Sequence, residues 1–483
     1  MPVAVLLSSA IPAVATFFLA QDSHGLRNAL TLGGAVVKVA LIVAMLLAVA
    51  GGAAHEARLP LAPGLYILLR IDAIALLFLS LSAVLWLLTT LYAIAYLGGK
   101  PQLSRFFGFF SLCVAATTGL AMSGSLISFF IFFELLTLST WPLVAHKQDA
   151  PSLRAARSYL AYALPGSAAL LWAIVWLESL TGPVVFTDPP ALDALDPASL
   201  RAIFALFIVG LGAKAALVPL HGWLPVAMAA PAPVSALLHA VAVVKAGAFG
   251  VVRVVYDVFG PDSVAALGVG TVLAAAASVT ILWGSLRALR QTEIKKRLAF
   301  STVSQVSYII LGAALASPAA LIGGLAHLVH QGLMKITLFF CAGLYDERAG
   351  VKTIAGLDGL GWRMPWTSVC FSVGAMGMIG LPPLAGFVSK LYLGLGALEA
   401  GAPWVLAVLA GSTLLNAAYF LPLLFRLWFG TPAEGASGDE AAPLLVAPAV
   451  LTALASLGAG ALAATAVSPL GWAELIVTGG YAR

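Results

Sequence analysis

The stretch FALFIVGLGAKAALVPLHGWLPVAMAAPAPVSALLHAVAVVKAGAF, residues 204–249, decides the fold class of this chain. Almost all of it is apolar, and only Lys214 and Lys245 carry a full charge. A membrane-spanning helix needs about 20 consecutive apolar residues, so the stretch is long enough to serve two such helices. Pro219 marks a break inside the first of them. The stretch therefore predicts consecutive transmembrane helices, one of them interrupted.

The whole chain shares this composition. Of its 483 residues, 61% are apolar and 9% are charged, and its mean hydropathy is +1.03. A soluble domain carries about 25% charged residues, which excludes a cytosolic enzyme, a secreted domain and a disordered scaffold. A transmembrane β-barrel would show alternating segments of about 10 residues, and the apolar runs here do not alternate. We predict a single all-α integral membrane domain over residues 1–483.

Apolar runs and their breakers predict about 14 transmembrane spans. The expected spans are residues 3–20, 29–50, 66–97, 106–122, 125–145, 154–180, 199–230, 232–257, 263–290, 297–316, 318–344, 366–400, 404–428 and 443–466. Spans 7 and 12 are expected to be discontinuous, because Pro219 lies within the first and Pro382 and Pro383 lie within the second.

The two breaks also suggest an internal repeat. PLHGW at 219–223 aligns with PLAGF at 383–387. These segments lie in spans 7 and 12, which are an odd number of spans apart, so the second copy must insert upside down. We predict two inverted five-helix repeats, spans 4–8 (residues 104–257) and spans 9–13 (residues 263–428). Inverted repeats with broken helices are typical of transporters, whose sites lie near the breaks at the membrane midplane.

Basic residues predict the orientation, because cytoplasmic loops carry an excess of Lys and Arg. The loops that follow odd-numbered spans carry fifteen: Arg27, Lys100, Arg105, Lys147, Arg154, Arg157, Arg287, Arg290, Lys295, Lys296, Arg297, Arg348, Lys352, Arg363 and Arg426. The loops that follow even-numbered spans carry three: Arg58, Arg201 and Arg253. We expect the first set in the cytoplasm and both chain termini on the outer face of the cell inner membrane.

Eight titratable residues lie within spans rather than loops, and we call them the midplane row: Glu134, Lys214, His239, Lys245, His327, His330, Lys335 and Lys390. A charge at the centre of a bilayer costs about 2.5–3.5 kcal/mol on insertion scales, so these groups should face the bundle interior. Burial shifts the pKa values of lysine and glutamate by several units, and histidine titrates near neutrality. The row therefore predicts a proton path.

Two alternative interpretations exist for these side chains. The lysines could snorkel, that is, extend their ammonium groups to the membrane interface, and the histidines could be structural core residues whose hydrogen bonds are all made. Snorkelling is the interpretation we favour for Lys38, because it lies nearer the cytoplasmic end of its span.

The sequence lacks the residues that a metal site, an iron–sulfur cluster or a nucleic-acid site would need. Cys113, Cys341 and Cys370 stand apart in apolar runs, whereas iron–sulfur clusters and structural zinc sites need about four ligands. No basic patch is interleaved with aromatic residues. We expect no metal, no cofactor and no nucleic-acid partner.

Several segments resemble the antiporter-like subunit family, which comprises the A and D subunits of Mrp-type cation/proton antiporters and the L, M and N membrane subunits of respiratory complex I, with relatives in membrane-bound hydrogenases. The segments that carry the resemblance are FFEL (132–135), GAK (212–214), VPLHGWLPVAMAAPAPVSALLHAVAVVKAG (218–247), KKRLAFSTVSQVSYIILG (295–312), HLVHQGLMKITLFFCAG (327–343) and GLPPLAGFVSK (380–390). The resemblance covers roughly residues 65–430 and implies the 14-helix fold with inverted repeats.

The resemblance also implies roles within the midplane row. Glu134 and Lys214 would form the first pair. The other roles would follow in this order: Lys245 with His239 as the connection, Lys335 with His327 or His330 as the next link, and Lys390 at the opening to the far side.

The chain departs from the family pattern in places, so its subfamily stays open. Val226 stands where the family usually has Asp. The run SALLHAVAVVKAG, residues 235–247, looks like the A type, whereas the length of the chain favours a D-, M- or N-like protein. Lys390, where the M type has Glu, argues against the M type.

The expected function is that of a proton-translocating membrane subunit of a multi-subunit complex. The first expectation is an Mrp-type antiporter that exchanges a monovalent cation, Na⁺ or K⁺, for protons. The alternative is the pumping, non-redox subunit of a complex I-like NADH dehydrogenase, a membrane-bound hydrogenase or an inorganic-carbon uptake complex. The expected partners are other membrane subunits, the lipid bilayer and the transported ions.

Overall fold

The computed structural model describes residues 1–50, 55–63, 65–186, 188–431 and 439–481. The described chain is mostly helical. Its α-helices are α1 (Pro2–Phe17), α2 (His24–Ala50), α3 (Ala73–Tyr96), α4 (Leu103–Ala121), α5 (Leu126–Val144), α6 (Ala150–Thr181), α7 (Pro197–Ala215), α8 (Trp223–Val226), α9 (Ala232–Ala240), α10 (Val243–Arg253), α11 (Pro261–Ala266), α12 (Val269–Leu289), α13 (Ile294–Ala314), α14 (Pro318–Ala349), α15 (Leu360–Arg363), α16 (Pro365–Ile379), α17 (Ala385–Glu399), α18 (Trp404–Phe429), α19 (Pro443–Ala461) and α20 (Pro469–Ile476).

Within the described residues, 11 helices are long and apolar enough to cross a membrane. They are α2 to α7, the segment Ala232–Phe259 that includes α9 and α10, α12, α14, α18 and α19. The helices α1 and α16 are apolar but shorter. The all-α membrane fold is therefore confirmed, whereas the number of 14 spans and the inverted repeats stay predictions.

The chain divides into two compact units, each of which is discontinuous in sequence. Unit one comprises Met1–Thr90, Leu97–Ala215 and Val241–Val269. Unit two comprises Leu91–Tyr96, Ala216–Ala240 and Gly270–Arg483. The proposed repeats, residues 104–257 and 263–428, follow other boundaries.

Both expected discontinuities occur. In span 7, α7 ends at Ala215, and Pro219 lies in the non-helical segment that precedes α8. In span 12, α16 ends at Ile379 and α17 begins at Ala385, with Pro382 and Pro383 between them. Proline cannot donate a backbone hydrogen bond and its ring clashes with the preceding turn, which explains why the helices stop here. Gly380 adopts a φ of +93°, which glycine tolerates and other residues do not.

Span 8 contains a break that the sequence did not predict. The helix α9 ends at Ala240 and α10 begins at Val243. Ala242 adopts a φ of −90° and a ψ of −89°, outside the helical region. The two residues of the break are Val241 and Ala242, and neither proline nor glycine marks it.

A two-stranded hairpin corrects the prediction that residues 66–97 form one helical span. The strands β1 (His55–Ala62) and β2 (Leu65–Ile71) pair antiparallel, with His55 opposite Ile71. The helix α3 begins only at Ala73, after the Oδ1 atom of Asp72 accepts a hydrogen bond of 2.8 Å from the Ala75 N–H. Asp72 thus satisfies a donor that every helix start leaves unpaired.

Within unit one, α10 packs closely against the end of α7 at Gly247. A Cβ atom at this position would collide with the Ala215 nitrogen and would lie 2.6 Å from the Leu211 oxygen. Both atoms belong to the backbone of α7, which cannot move aside as a flexible side chain can. The contact therefore sets the distance between the end of α7 and the first turns of α10.

We predict that Gly247→Ala lowers the free energy of unfolding by about 1–3 kcal/mol, the usual cost of overpacking a close contact. The matched control is Gly458→Ala on α19, where a new Cβ meets no atom within 4 Å. That substitution should be neutral or stabilising by about 0.5–1 kcal/mol, because alanine is the better helix former. Thermal unfolding of both variants in detergent measures the difference, and equal midpoints would contradict the close-contact argument.

Candidate functional site

Glu134 lies in the middle of α5, and a serine of the neighbouring helix α6 holds it. The hydroxyl of Ser125 caps the start of α5 by accepting the Ser128 N–H at 3.3 Å. Further along, the Oε1 atom of the half-buried Glu134 accepts a hydrogen bond from the hydroxyl of Ser167. This contact fixes the carboxylate between α5 and α6 in unit one.

Lys214 is the penultimate residue of α7, and 1% of its surface is exposed. Its Nζ atom donates to the backbone oxygen of Phe133 and lies 3.3 Å from the centroid of the Phe133 ring. Within the described residues, Lys214 and Glu134 do not form a direct ion pair, because each side chain has a different partner. The expected first pair is therefore adjacent, with the Lys214 ammonium at the residue that precedes Glu134. A cation here is also favoured by the negative end of the α7 dipole.

Lys245 is fully buried in the first turn of α10, just after the unpredicted break. Gly247, two residues further, touches the backbone of α7 beside Lys214. Unit one thus places Glu134, Lys214 and Lys245 on three helices, α5, α7 and α10. Both α5 and α10 contact α7 near its C-terminal end, where the helix break begins.

In unit two, Lys390 lies on α17, in the second turn after the second break. Its Nζ atom donates to the Ile379 oxygen at 2.7 Å and to the Met378 oxygen at 3.2 Å, at the C-terminal end of α16. A third hydrogen bond of 3.2 Å reaches the hydroxyl of Thr413 on α18. The last carbonyl groups of a helix have no partner within the helix, and Lys390 satisfies two of them.

His327 and Lys390 both lie beside the same tyrosine. The Nδ1 atom of His327 is 2.8 Å from the hydroxyl of Ser389, the neighbour of Lys390 on α17. The Tyr308 ring centroid is 5.1 Å from the His327 ring centroid and 5.6 Å from the Lys390 Nζ atom. The structure therefore brings these two members of the midplane row together.

The remaining members of the row in unit two are buried on α14 and α9. Lys335 donates to the hydroxyl of Ser301 on α13. His239 lies in the last turn of α9, with its ring centroid 4.6 Å from that of Phe339. His330 is also fully buried on α14. The full burial of Lys335 rules out snorkelling for this lysine.

Sequence reasoning missed Lys38, and the snorkelling interpretation of this residue is wrong. It lies midway along α2 and is fully buried. Its Nζ atom donates to the hydroxyl of Thr118 on α4 and lies 5.3 Å from the centroid of the Trp86 ring. No carboxylate forms an ion pair with it among the described residues. The available signal was a single lysine in a long apolar run, and it did not distinguish burial from snorkelling.

Arg253 was counted as a loop residue, and this interpretation is wrong. It ends α10, with 2% of its side chain exposed. It forms ion pairs of 2.7 Å with Asp72 and 2.8 Å with Asp257. These carboxylates offset the cost of burying the guanidinium, and the network joins the start of α3 to the end of α10.

The described residues contain no group of three or more His, Cys, Asp and Glu side chains that could hold a metal ion. The midplane row itself presents amine, imidazole and carboxyl groups, and serine hydroxyls lie beside several of them.

A multi-pass helical fold with broken helices and buried lysines at the breaks defines a class of membrane transport proteins. Residues 123–416 match the family model described as "NADH:quinone oxidoreductase/Mrp antiporter, TM". This match covers more than half of the chain, and the chain belongs to this family.

Three individual proteins show how much of the chain the similarity covers. Subunit N of the NADH-quinone oxidoreductase of Desulforudis audaxviator is 36% identical, over 78% of this chain and 75% of its own length. The A/B subunit of a probable K⁺/H⁺ antiporter of Rhizobium meliloti is 31% identical over 87% of this chain, but the chain spans only 43% of that protein. A chain in the structure of the Mrp complex from Dietzia sp. DQ12-45-1b superposes with a TM-score of 0.86 at 25% identity, covering 99% of this chain and 98% of that one.

Proposed function

We propose that this protein is a proton-translocating subunit of a multi-subunit membrane complex, and that protons move through the midplane row. One observation carries the proposal: Lys214 and Lys390 each lie beside a helix break and donate to main-chain carbonyl or hydroxyl oxygens. Among the described residues, no carboxylate forms an ion pair with either lysine. Unit one supplies Glu134, Lys214 and Lys245, and unit two supplies the other five members.

Such partners suit a lysine that exchanges protons. A carbonyl oxygen accepts a hydrogen bond from a charged ammonium and, more weakly, from a neutral amine, since both carry N–H donors. An ion pair would favour the charged form alone. The side chain can therefore release its proton without losing its place. Glu134 stands close enough to Lys214 to change how firmly that proton is held.

The parent complex we propose is an Mrp-type antiporter that exchanges Na⁺ or K⁺ for protons. The similarity to an antiporter protein of Rhizobium meliloti and to a chain of the Dietzia Mrp complex supports it. The second candidate is the non-redox pumping subunit of a complex I-like enzyme, which the similarity to subunit N of an NADH-quinone oxidoreductase favours. In either case other membrane subunits are the proposed partners. Purification of the native complex and identification of its chains separates the two candidates.

We also propose an orientation in the cell inner membrane, with both termini on the outer face. The excess of basic residues in one set of loops supports this orientation. The turn between α12 and α13 belongs to that set, since it is flanked by Arg287, Arg290, Lys295 and Lys296.

We predict that Glu134→Ala and Lys214→Ala each reduce proton-coupled transport by about a hundredfold or more, the contribution of a positioned proton-transfer group. The measurement is cation-dependent proton movement in inverted membrane vesicles, normalised to the amount of inserted protein. The matched control is Lys352→Ala, a lysine whose side chain is 70% exposed. Wild-type transport in either of the two variants would contradict the role of the first pair.

Lys390 should act through its neutral form, and three substitutions test this. Arginine keeps the charge but does not release its proton, because its pKa exceeds about 12. Lys390→Arg should therefore fail nearly as badly as Lys390→Ala, whereas Lys390→Glu should retain partial activity, since a buried carboxyl can also exchange a proton. Transport driven by a pH gradient measures all three. Full activity of Lys390→Arg with an inactive Lys390→Glu would show that only a fixed positive charge is needed.

A cysteine at the exposed Thr292, in the turn between α12 and α13, tests the orientation. We expect Thr292→Cys to resist an impermeant thiol reagent in intact cells and to react in inverted vesicles. The wild-type chain is the control, because Cys113, Cys341 and Cys370 are all buried. Labelling in intact cells would reverse the proposed topology.

A further inference from the structure

Gln331 on α14 is a buried polar residue outside the midplane row. None of its surface is exposed, and among the described residues neither its amide nitrogen nor its amide oxygen has a hydrogen-bond partner. Buried polar groups are almost always paired, either with protein atoms or with ordered water. A glutamine with both amide atoms free of protein partners is therefore a candidate water-binding group.

The position of Gln331 connects two members of the row. It lies four residues after His327 and four residues before Lys335, so the three side chains share one face of α14. Each step along this face rises about 6 Å, at 1.5 Å per residue. His327 and Lys335 are therefore about 12 Å apart along the helix axis, too far for direct proton transfer, and Gln331 lies midway.

The ends of this face are anchored to other helices. Ser301 on α13 holds Lys335, and Ser389 on α17 holds His327. His327, Gln331 and Lys335 follow one another at four-residue intervals on α14, so Gln331 is the residue between the two titratable side chains on this face.

The amide has suitable chemistry for water but not for storing a proton. It offers two N–H donors and a carbonyl oxygen with two lone pairs, so it can bind water as donor and as acceptor. An amide is not a titratable group, whereas the lysine and histidine on either side are. A proton that passes this point must therefore travel on water that the amide orients.

We propose that Gln331 binds ordered water that links Lys335 to His327, and that proton transfer between these residues depends on this water. The inference rests on the proposed function and adds a positioning residue to it. A proton enters the water from the Lys335 ammonium and leaves it to the His327 imidazole, while Gln331 keeps its own protons.

Three variants test the transport role. Gln331→Leu has a similar volume but no hydrogen-bonding group, and it should reduce proton-coupled transport by about tenfold or more, which corresponds to about 1.4 kcal/mol in the barrier. Gln331→Asn keeps an amide and should retain most of the rate. Gln331→His introduces a titratable group, and it should remain active with a new pH dependence between about pH 5 and 8.

The matched control is Thr337→Val on the same helix. Thr337 is buried and lies off the shared face, and its hydroxyl bonds to Leu333 and Thr452. This substitution removes a polar group from α14 without touching the face of Gln331, so the transport rate should stay near that of the wild type. A loss equal to that of Gln331→Leu would assign the effect to the structure of α14 and overturn the proposal.

A second measurement detects the water without transport. Radiolytic hydroxyl-radical labelling with mass spectrometry, applied to the intact complex, modifies buried side chains beside bound water. Met334, three residues beyond Gln331, should be oxidised in the wild type and much less in Gln331→Leu. An unlabelled Met334 in the wild type, or wild-type transport in Gln331→Leu, would overturn the proposal. If instead His327→Ala and Lys335→Ala transport normally, the proposed function fails, and the labelling result still reports on the water site.

Discussion

The structure depends on one constraint: a polar backbone group inside a membrane protein must find a partner within the protein or in enclosed water. A helix that stops midway through the bilayer leaves carbonyl groups without partners. Lys390 satisfies two of them at the end of α16, and Lys214 lies at the end of α7. The break after α16 provides carbonyl oxygens for Lys390, and Lys390 in turn satisfies them. Lys214 instead donates to the Phe133 oxygen of α5, beside the end of its own helix.

This arrangement also explains why the interior contains more lysines than acids. A carboxylate beside each ammonium would lower the cost of burial, as Asp72 and Asp257 do for Arg253. That guanidinium is fixed in its charged state. Lys214, Lys335 and Lys390 have neutral oxygen partners, which stabilise a cation less and accept an amine as well. The molecule therefore surrounds one buried cation with carboxylates and three others with neutral oxygens.

The class of fold and the two proline breaks could be predicted because each is encoded locally, by hydropathy over one span or by Pro219, Pro382 and Pro383. The break at Val241 and Ala242 could not, since two small apolar residues fit a helix equally well. The hairpin was hidden because Leu65–Ile71 is as apolar as a helical span. The position of each residue of the midplane row along its span could be estimated from the sequence. Its partners, such as Ser167 and Ser301, could not, because they come from helices more than 30 residues away and resemble every other serine.

Lys38 has a consequence for the order in which the chain can be assembled. Its hydrogen-bond partner Thr118 lies 80 residues later in the sequence, on α4. While α2 leaves the ribosome, α4 has not been made, and a lysine at the centre of a lone helix would cost about 2.5–3.5 kcal/mol in the bilayer. The helix α2 therefore cannot reach its final environment by itself. The buried contact of Lys38 forms only after α4 has been made, so the packing of α2 is completed only together with that of α4.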